Sequence, residues 1–391
     1  MQLLARFTGG DRRKLYYYLG TAMCVVGILF LFFLRLVVSD QRQVPKWIGG
    51  YCAIMAAGLS GLQIMEHLSL FADPECQTKV VRILFMVPLY AVTSWLSIVW
   101  PEGAEYLDLI RDTYESYAIY AFFALMLAQM GGLDALYRNL MSEERPPLEH
   151  FFPLCWLEPV KISPRFVQNC RLALFQFMVF KPLITFVVIF LTAKDEMGKD
   201  IFDVRKGWFW TALLANISIT TAFSALVYFY YGTKEFLAGK NALRKFLCIK
   251  AVVFLSFWQG IVIAVLANVG VLPKFDYWTE ATAARGLQNF LICIEMLLIA
   301  FAHKFSFPTD EHLDVLRDNA GANNEAAVGL EDLDGPAIDA GYPAECPVAE
   351  DELQRLAASL PPARRSASAN LRLLLRHEDV LKDIADILHR R

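Results

Sequence analysis

The sequence predicts an all-α integral membrane protein. It has a seven-helix core bundle, one extra N-terminal span ahead of it, and a disordered acidic tail that ends in an amphipathic helix. Three observations predict this class. Hydrophobic residues make up 56% of the 391 residues and charged residues 20%, whereas a soluble domain carries roughly 45–50% and about 25%. The excess is gathered into runs long enough to cross a hydrocarbon core of roughly 30 Å as helices. Those runs lack the period-two alternation of barrel strands, so helices are left to satisfy their backbone groups in lipid.

The leading span covers 15–38. Arg6, Arg12, Arg13 and Lys14 precede it as in a signal peptide, and Val37 and Ser39 would suit a cleavage site. Its apolar run of about twenty residues exceeds the usual 7–15 of a signal sequence, which favours an uncleaved anchor over a cleaved leader. Core spans follow at 47–68, 80–100, 109–130, 172–193, 208–231, 246–271 and 287–304. The third is the most polar, with Arg111, Asp112 and Glu115 in its outer third. Pro88 and Pro182 remove backbone hydrogen bonds inside the second and fourth, where kinks are expected. The chain therefore divides into a basic N-terminus with the extra span (1–45), a membrane domain (46–305) and a cytosolic tail (306–391).

Orientation follows from Lys and Arg in the loops. Lys79, Arg138, Arg145, Lys161, Arg165, Lys234, Lys240, Arg244 and Lys245 gather on one side of the expected membrane. On the other side Lys194, Lys199, Arg205 and Lys206 alternate with Asp195, Glu196, Asp200 and Asp203. Both termini are thus expected in the cytosol. From Asp310 to Glu352 the tail is acidic and poor in large apolar residues, a composition that cannot offset the entropy of ordering. Near 370–391, Leu373, Leu374, Val380, Leu381, Ile384, Ile387 and Leu388 share one helical face. The mixed charge of the opposite face suits docking on a partner or on this protein's own cytosolic face better than a membrane surface.

The eight cysteines, among them Cys24, Cys52, Cys155 and Cys346, form no CxxC pair and no regular ladder. No HExxH, GxSxG or P-loop pattern occurs, so an enzyme is not indicated, and neither a cofactor nor nucleic acid is expected. His67 and His303 are expected at cytosolic helix ends, where they could meet and hold a metal or haem, although single interfacial histidines need no ligand.

Residues that are costly to insert carry the functional signal. A charge at the bilayer centre costs roughly 2.5–3.5 kcal/mol on insertion scales. Lys181 and Glu295 sit near mid-span, and the economical expectation is that they face each other or one shared cavity. Asp108, Asp112 and Glu115 recur at spacings of four and three on one face, with Arg111 in reach of both ends. Gln176 and Gln259 add polarity within spans, and Trp258 adjoins the latter. Arg82, Lys250 and Glu66 lie nearer the cytosolic edge, where snorkelling lowers the cost. Such groups either form a substrate pathway or fix helix register.

The polar residues also follow one another in a family-specific order. His67-Leu68 is followed by Arg82-Ile83-Leu84-Phe85-Met86-Val87-Pro88 and Ser94-Trp95-Leu96-Ser97. Then come Arg111-Asp112-Thr113-Tyr114-Glu115, Gln176, Lys181-Pro182 and Thr233-Lys234-Glu235. Ile249-Lys250, Ser256-Phe257-Trp258-Gln259-Gly260, Ile292-Cys293-Ile294-Glu295-Met296 and Ala302-His303 complete the series. Together they resemble the organic solute transporter alpha family, in its transmembrane-protein-184-like branch. The resemblance implies a seven-helix membrane protein with an outer N-terminal side of the first core helix. It also implies facilitated, bidirectional movement of amphipathic solutes such as steroid conjugates. That activity belongs to the alpha-subunit branch, which works with a small single-span partner; members of the branch matched best have been linked to receptor, trafficking and vacuolar roles. Three features depart from the family: Cys155 stands alone where the family has adjacent cysteines, Phe180 replaces Val before Lys181-Pro182, and the leading span is extra.

Two functions compete on these grounds. One is a transporter of amphipathic organic or lipid-like solutes, with Lys181 as counter-charge to an anionic head. The other is a non-transporting receptor or trafficking adaptor that recruits partners through its tail. Expected partners are membrane lipid, the solute, a small single-span protein or a second copy, and a cytosolic protein on the terminal helix. Plasma membrane and endomembrane or vacuolar locations both fit.

Overall fold

The computed structural model describes residues 43–69, 71, 73–142, 145–149, 158–194, 196–197, 204–268, 280–309 and 311, with scattered positions between 22 and 30. The helices are α1 (Val44–Ser69), α2 (Pro74–Leu84), α3 (Met86–Val99), α4 (Ala104–Gln129) and α5 (Gly132–Ser142). They continue as α6 (Pro164–Ala193), α7 (Gly207–Thr233), α8 (Ala242–Asn268) and α9 (Glu280–Ser306). The leading span 15–38 lies largely outside the described residues. The few described there are helical, and Phe30 stacks on Tyr51 of α1 with ring centroids 5.4 Å apart. The acidic tail and its terminal helix near 370–391 lie outside the described residues altogether.

Local chemistry sets the helix boundaries. Asp73 caps α2 by accepting from the Cys76 amide at 3.1 Å, with Pro74 in the first turn. Ser163 caps α6 by accepting from Phe166, again ahead of a proline. The break between α2 and α3 is the expected effect of Pro88. That residue has no N–H to offer Leu84, four residues back, and its ring crowds the Leu84 carbonyl. Leu84 is where α2 ends. By contrast, α6 runs without interruption through Pro182.

Among the described residues five helices are long and apolar enough to span a membrane: Val44–Ser69, Pro74–Val99, Pro164–Ala193, Gly207–Thr233 and Ala283–Ser306. A sixth arises if α4 and α5 count as one span, bent by 61°. The bend falls at Gly131 and Gly132, whose φ values of 83° and 86° need residues without a Cβ. Helix α8 runs through the expected sixth core span, with several of its side chains outside the described residues.

The α2–α3 span sits at the centre, with 67% of its most apolar window buried. Helices α1, α4 and α9 surround α3, α6 packs on α4, α7 on α6, and α8 on α9. Met86, Val87, Tyr90, Phe122, Phe123 and Met296 fill the core between them. In α6 only 11% of the corresponding window is buried. Val179, Phe180, Leu183, Phe186, Val187 and Phe190 point outward on one of its faces, as a lipid-facing helix requires.

Candidate functional site

The polar stripe of α4 faces inward. Arg111 pairs with Asp108 one turn earlier at 2.8 Å. It also donates to Asn289 Oδ1 of α9 at 3.1 Å and to Ser94 Oγ of α3 at 3.4 Å, and its guanidinium lies 5.8 Å from the Tyr90 ring centroid. One turn further in, Asp112 pairs with Lys181 of α6 at 3.2 Å. Deepest in the stripe, the buried carboxylate of Glu115 accepts from the Tyr90 hydroxyl at 3.0 Å. Four helices thus meet around one ladder of alternating charge. In a low-dielectric interior such pairs persist because each partner offsets the desolvation of the other.

A cavity of about 340 Å³ opens beside this ladder, on the seam between α8 and α9. Asp108, Arg111, Gly260, Ile263, Gln288 and Asn289 border it, together with Ala284 and Arg285. Arg285 is half-exposed and pairs with Glu105 at 3.6 Å. In the topology expected from the loops, this is the side facing away from the cytosol.

The expected meeting of Lys181 with Glu295 is not what the structure shows. Helix α6 packs on α4 and α7, whereas α9 packs on α1, α3 and α8, so Lys181 meets the acids of α4 instead. Glu295 accepts a hydrogen bond from Gln259 across the α8–α9 seam. Gln176 ties α6 to α7, donating to the Ser218 carbonyl at 3.1 Å and accepting from the Ser218 hydroxyl at 2.9 Å. Arg82 is buried at the end of α2, and its carbonyl accepts from Tyr114 at 2.6 Å. Lys250 is exposed, its ammonium 5.8 Å from the Phe246 ring, and Trp258 is exposed on α8. At the end of α9 expected in the cytosol, the His67 Nε2 donates to the Phe307 carbonyl at 3.2 Å, and His303 packs edge-on against the Phe307 ring.

Several site residues were not singled out from the sequence: Tyr90, Arg285, Gln288 and Asn289, while Ser94 entered only as part of the family-specific series. A signal existed. Tyr90 and Ser94 are four apart on α3, as are Arg285 and Asn289 on α9, so each pair shares a helical face.

Long apolar helices that carry paired charges beside a cavity define a multi-pass membrane protein. The family model described as organic solute transporter Ostalpha matches residues 46–312, and the chain belongs to that family. No solved structure matches it. Family and apolar helices together point to a membrane transporter.

Proposed function

We propose that this protein moves amphipathic organic or lipid-like solutes across the membrane by facilitated transport through a seven-helix core. The observation that supports this most is the cavity on the α8–α9 seam, which combines an ionic wall with an apolar one. Arg111 is already committed to Asp108, Ser94 and Asn289, whereas among the described residues the partner of Arg285 is the half-exposed Glu105 at 3.6 Å. An anionic head can therefore take over Arg285 while a rigid apolar skeleton lies along Ile263 and Ala284. Lys181 then serves the site indirectly, by holding α6 to the acid ladder of α4.

The test is flux of labelled anionic sterol conjugates into vesicles containing the purified chain. Wild type should show saturable flux in both directions. Arg285→Gln should weaken apparent affinity roughly tenfold, the loss of one charge-assisted hydrogen bond, while leaving protein abundance unchanged. Flux equal to that of protein-free vesicles for every conjugate would overturn the proposal.

A further inference from the structure

Of the carboxylates on the membrane helices, most meet a cation. Asp108 has Arg111, Asp112 has Lys181, Glu105 has Arg285, and Glu66 has Lys304. Glu295 differs. Its partner is the neutral amide of Gln259, whose Nε2 donates to Glu295 Oε1. The other two oxygens of the couple, Gln259 Oε1 and Glu295 Oε2, are both shielded from solvent and have no hydrogen-bond partner among the described residues. Both are acceptors when the carboxyl is ionised, so they cannot satisfy each other. A single hydrogen on Glu295 Oε2 removes both deficits at once, because an acid and an amide then close a two-hydrogen-bond ring.

We infer that Gln259 and Glu295 form a proton-binding site inside the membrane, with Glu295 carrying the proton and the amide of Gln259 reading it. The balance is simple. One O–H bond forms at Glu295 Oε2 with a proton taken from water, and the same bond breaks to return it. The cavity just described lies outward of the couple and is lined by neither of the two residues. Gly260 follows Gln259 on α8, and Gln288 lies seven residues outward of Glu295 on the same face of α9, about 10 Å at 1.5 Å per residue.

Among the described residues no charged group pairs with this carboxyl. On α9, apart from the Cys293 thiol, the nearest ionisable groups are Arg285 outward, engaged by Glu105, and His303 inward, packed on Phe307. From α8, Lys250 is exposed beside Phe246. From α3, Tyr90 is held by Glu115, and from α1, Glu66 is held by Lys304 while Cys52 packs by Cys293. Lys181 is taken by Asp112. A carboxylate with no cation beside it is costly in such surroundings, and holding a proton is the cheaper state.

This inference goes beyond the transport reading and does not depend on it, and its test needs no solute. The full-length protein in phosphatidylcholine vesicles is followed by infrared spectroscopy across a pH titration, in water and in heavy water. Wild type should show a protonated-carboxyl stretching band at neutral pH that shifts in heavy water. Glu295→Gln should lose that band and keep wild-type abundance, because its amide N–H supplies the hydrogen that the proton supplied. Glu115→Gln should retain it. Glu295→Asp, which keeps the acid but withdraws it from Gln259, should shift the band and serves if Glu295→Gln yields little protein. A wild-type band unchanged by either substitution at Glu295, or a difference spectrum with carboxylate bands alone, overturns the assignment.

Discussion

The two ends of α9 hold polar groups of opposite character. At the end expected in the cytosol they close upon the backbone. Gln63 of α1 donates to the carbonyls of His303 and Phe307 at 3.1 and 3.0 Å, His67 donates to the latter, and Lys304 pairs with Glu66. The chain then runs on through buried Phe307 and Thr309 to Glu311, which accepts from Lys245 and Asn241 at the start of α8. At the outer end the polar groups border a cavity instead, and the rim pair of Arg285 and Glu105 is half-exposed. A carbonyl satisfied by a buried side chain cannot be released without a penalty of about 1–3 kcal/mol. A half-exposed ion pair exchanges its partner for water or an anion at little cost. The hydrogen-bonded end is therefore a lock, and in the expected topology the cavity end would serve a transported solute as its entrance.

The ladder beneath that entrance should show the largest effect. Lys181→Met leaves Asp112 beside Asp108 and Glu115 with a single remaining cation, Arg111. Losing one partner of such a pair costs about 3–5 kcal/mol, so folded protein should fall sharply in a detergent unfolding assay. Asp112→Asn in the same chain should restore much of it. The coupling between Lys181→Met and Glu295→Gln should stay within about 0.5 kcal/mol, as for independent sites. Strong coupling to Glu295 and none to Asp112 would mean that α6 and α9 face each other after all.

At the locked end Glu311→Ala should come next. Lys245 is 1% exposed, and without Glu311 its ammonium keeps the Lys240 carbonyl, 3.0 Å away. A charged hydrogen bond of this kind contributes about 1.5–3 kcal/mol. Faster amide exchange in the first turns of α8, with exchange around Asp108 and Arg111 unchanged, is the expected result. Equal acceleration at both ends would erase the distinction between lock and entrance.

Much of this was legible in the sequence, and what was not has a physical cause. Runs of apolar residues locate helices because the backbone has no other solution in lipid, and the α4 stripe is legible because 108, 112 and 115 share a face at helical spacing. The partner of Lys181 was not legible. Periodicity gives the direction of a side chain around its own helix and says nothing of which helix stands opposite. The two mid-span charges of opposite sign looked complementary, yet the helix order places α4 beside α6. Tyr90 and Asn289 went unnoticed for a related reason: neutral polar residues in a span cost little, so they stand out only once a charge is found to lean on them.

The smallest effect belongs to the turn between α6 and α7. Lys206 donates to Glu196 at 2.9 Å, with the Glu196 side chain largely and the Lys206 side chain partly in solvent. The hydrogen bond and charge of Lys206 hold the Glu196 carboxyl below its ordinary range. A depressed folded value means that the contribution is complete above the ordinary glutamate range and fades as pH falls through the folded value. Any difference between wild type and Glu196→Gln should therefore narrow on acidification and never widen. It should already be negligible at neutral pH and physiological salt, where exposed pairs are screened. The turn has better supports. The Glu196 amide donates to the Leu191 carbonyl at 3.0 Å, and Gly207 and Trp208 donate back to Glu196 and Met197 at 3.1 and 3.0 Å. Gly207 also sits where a Cβ would lie 2.5 Å from the Leu191 side chain. The Leu191 atom it would meet is the far end of a flexible side chain that can turn aside, so Gly207→Ala should also have only a small effect. If Glu196→Gln instead lowered stability as far as Lys181→Met, exposure would not separate the two kinds of ion pair in this molecule.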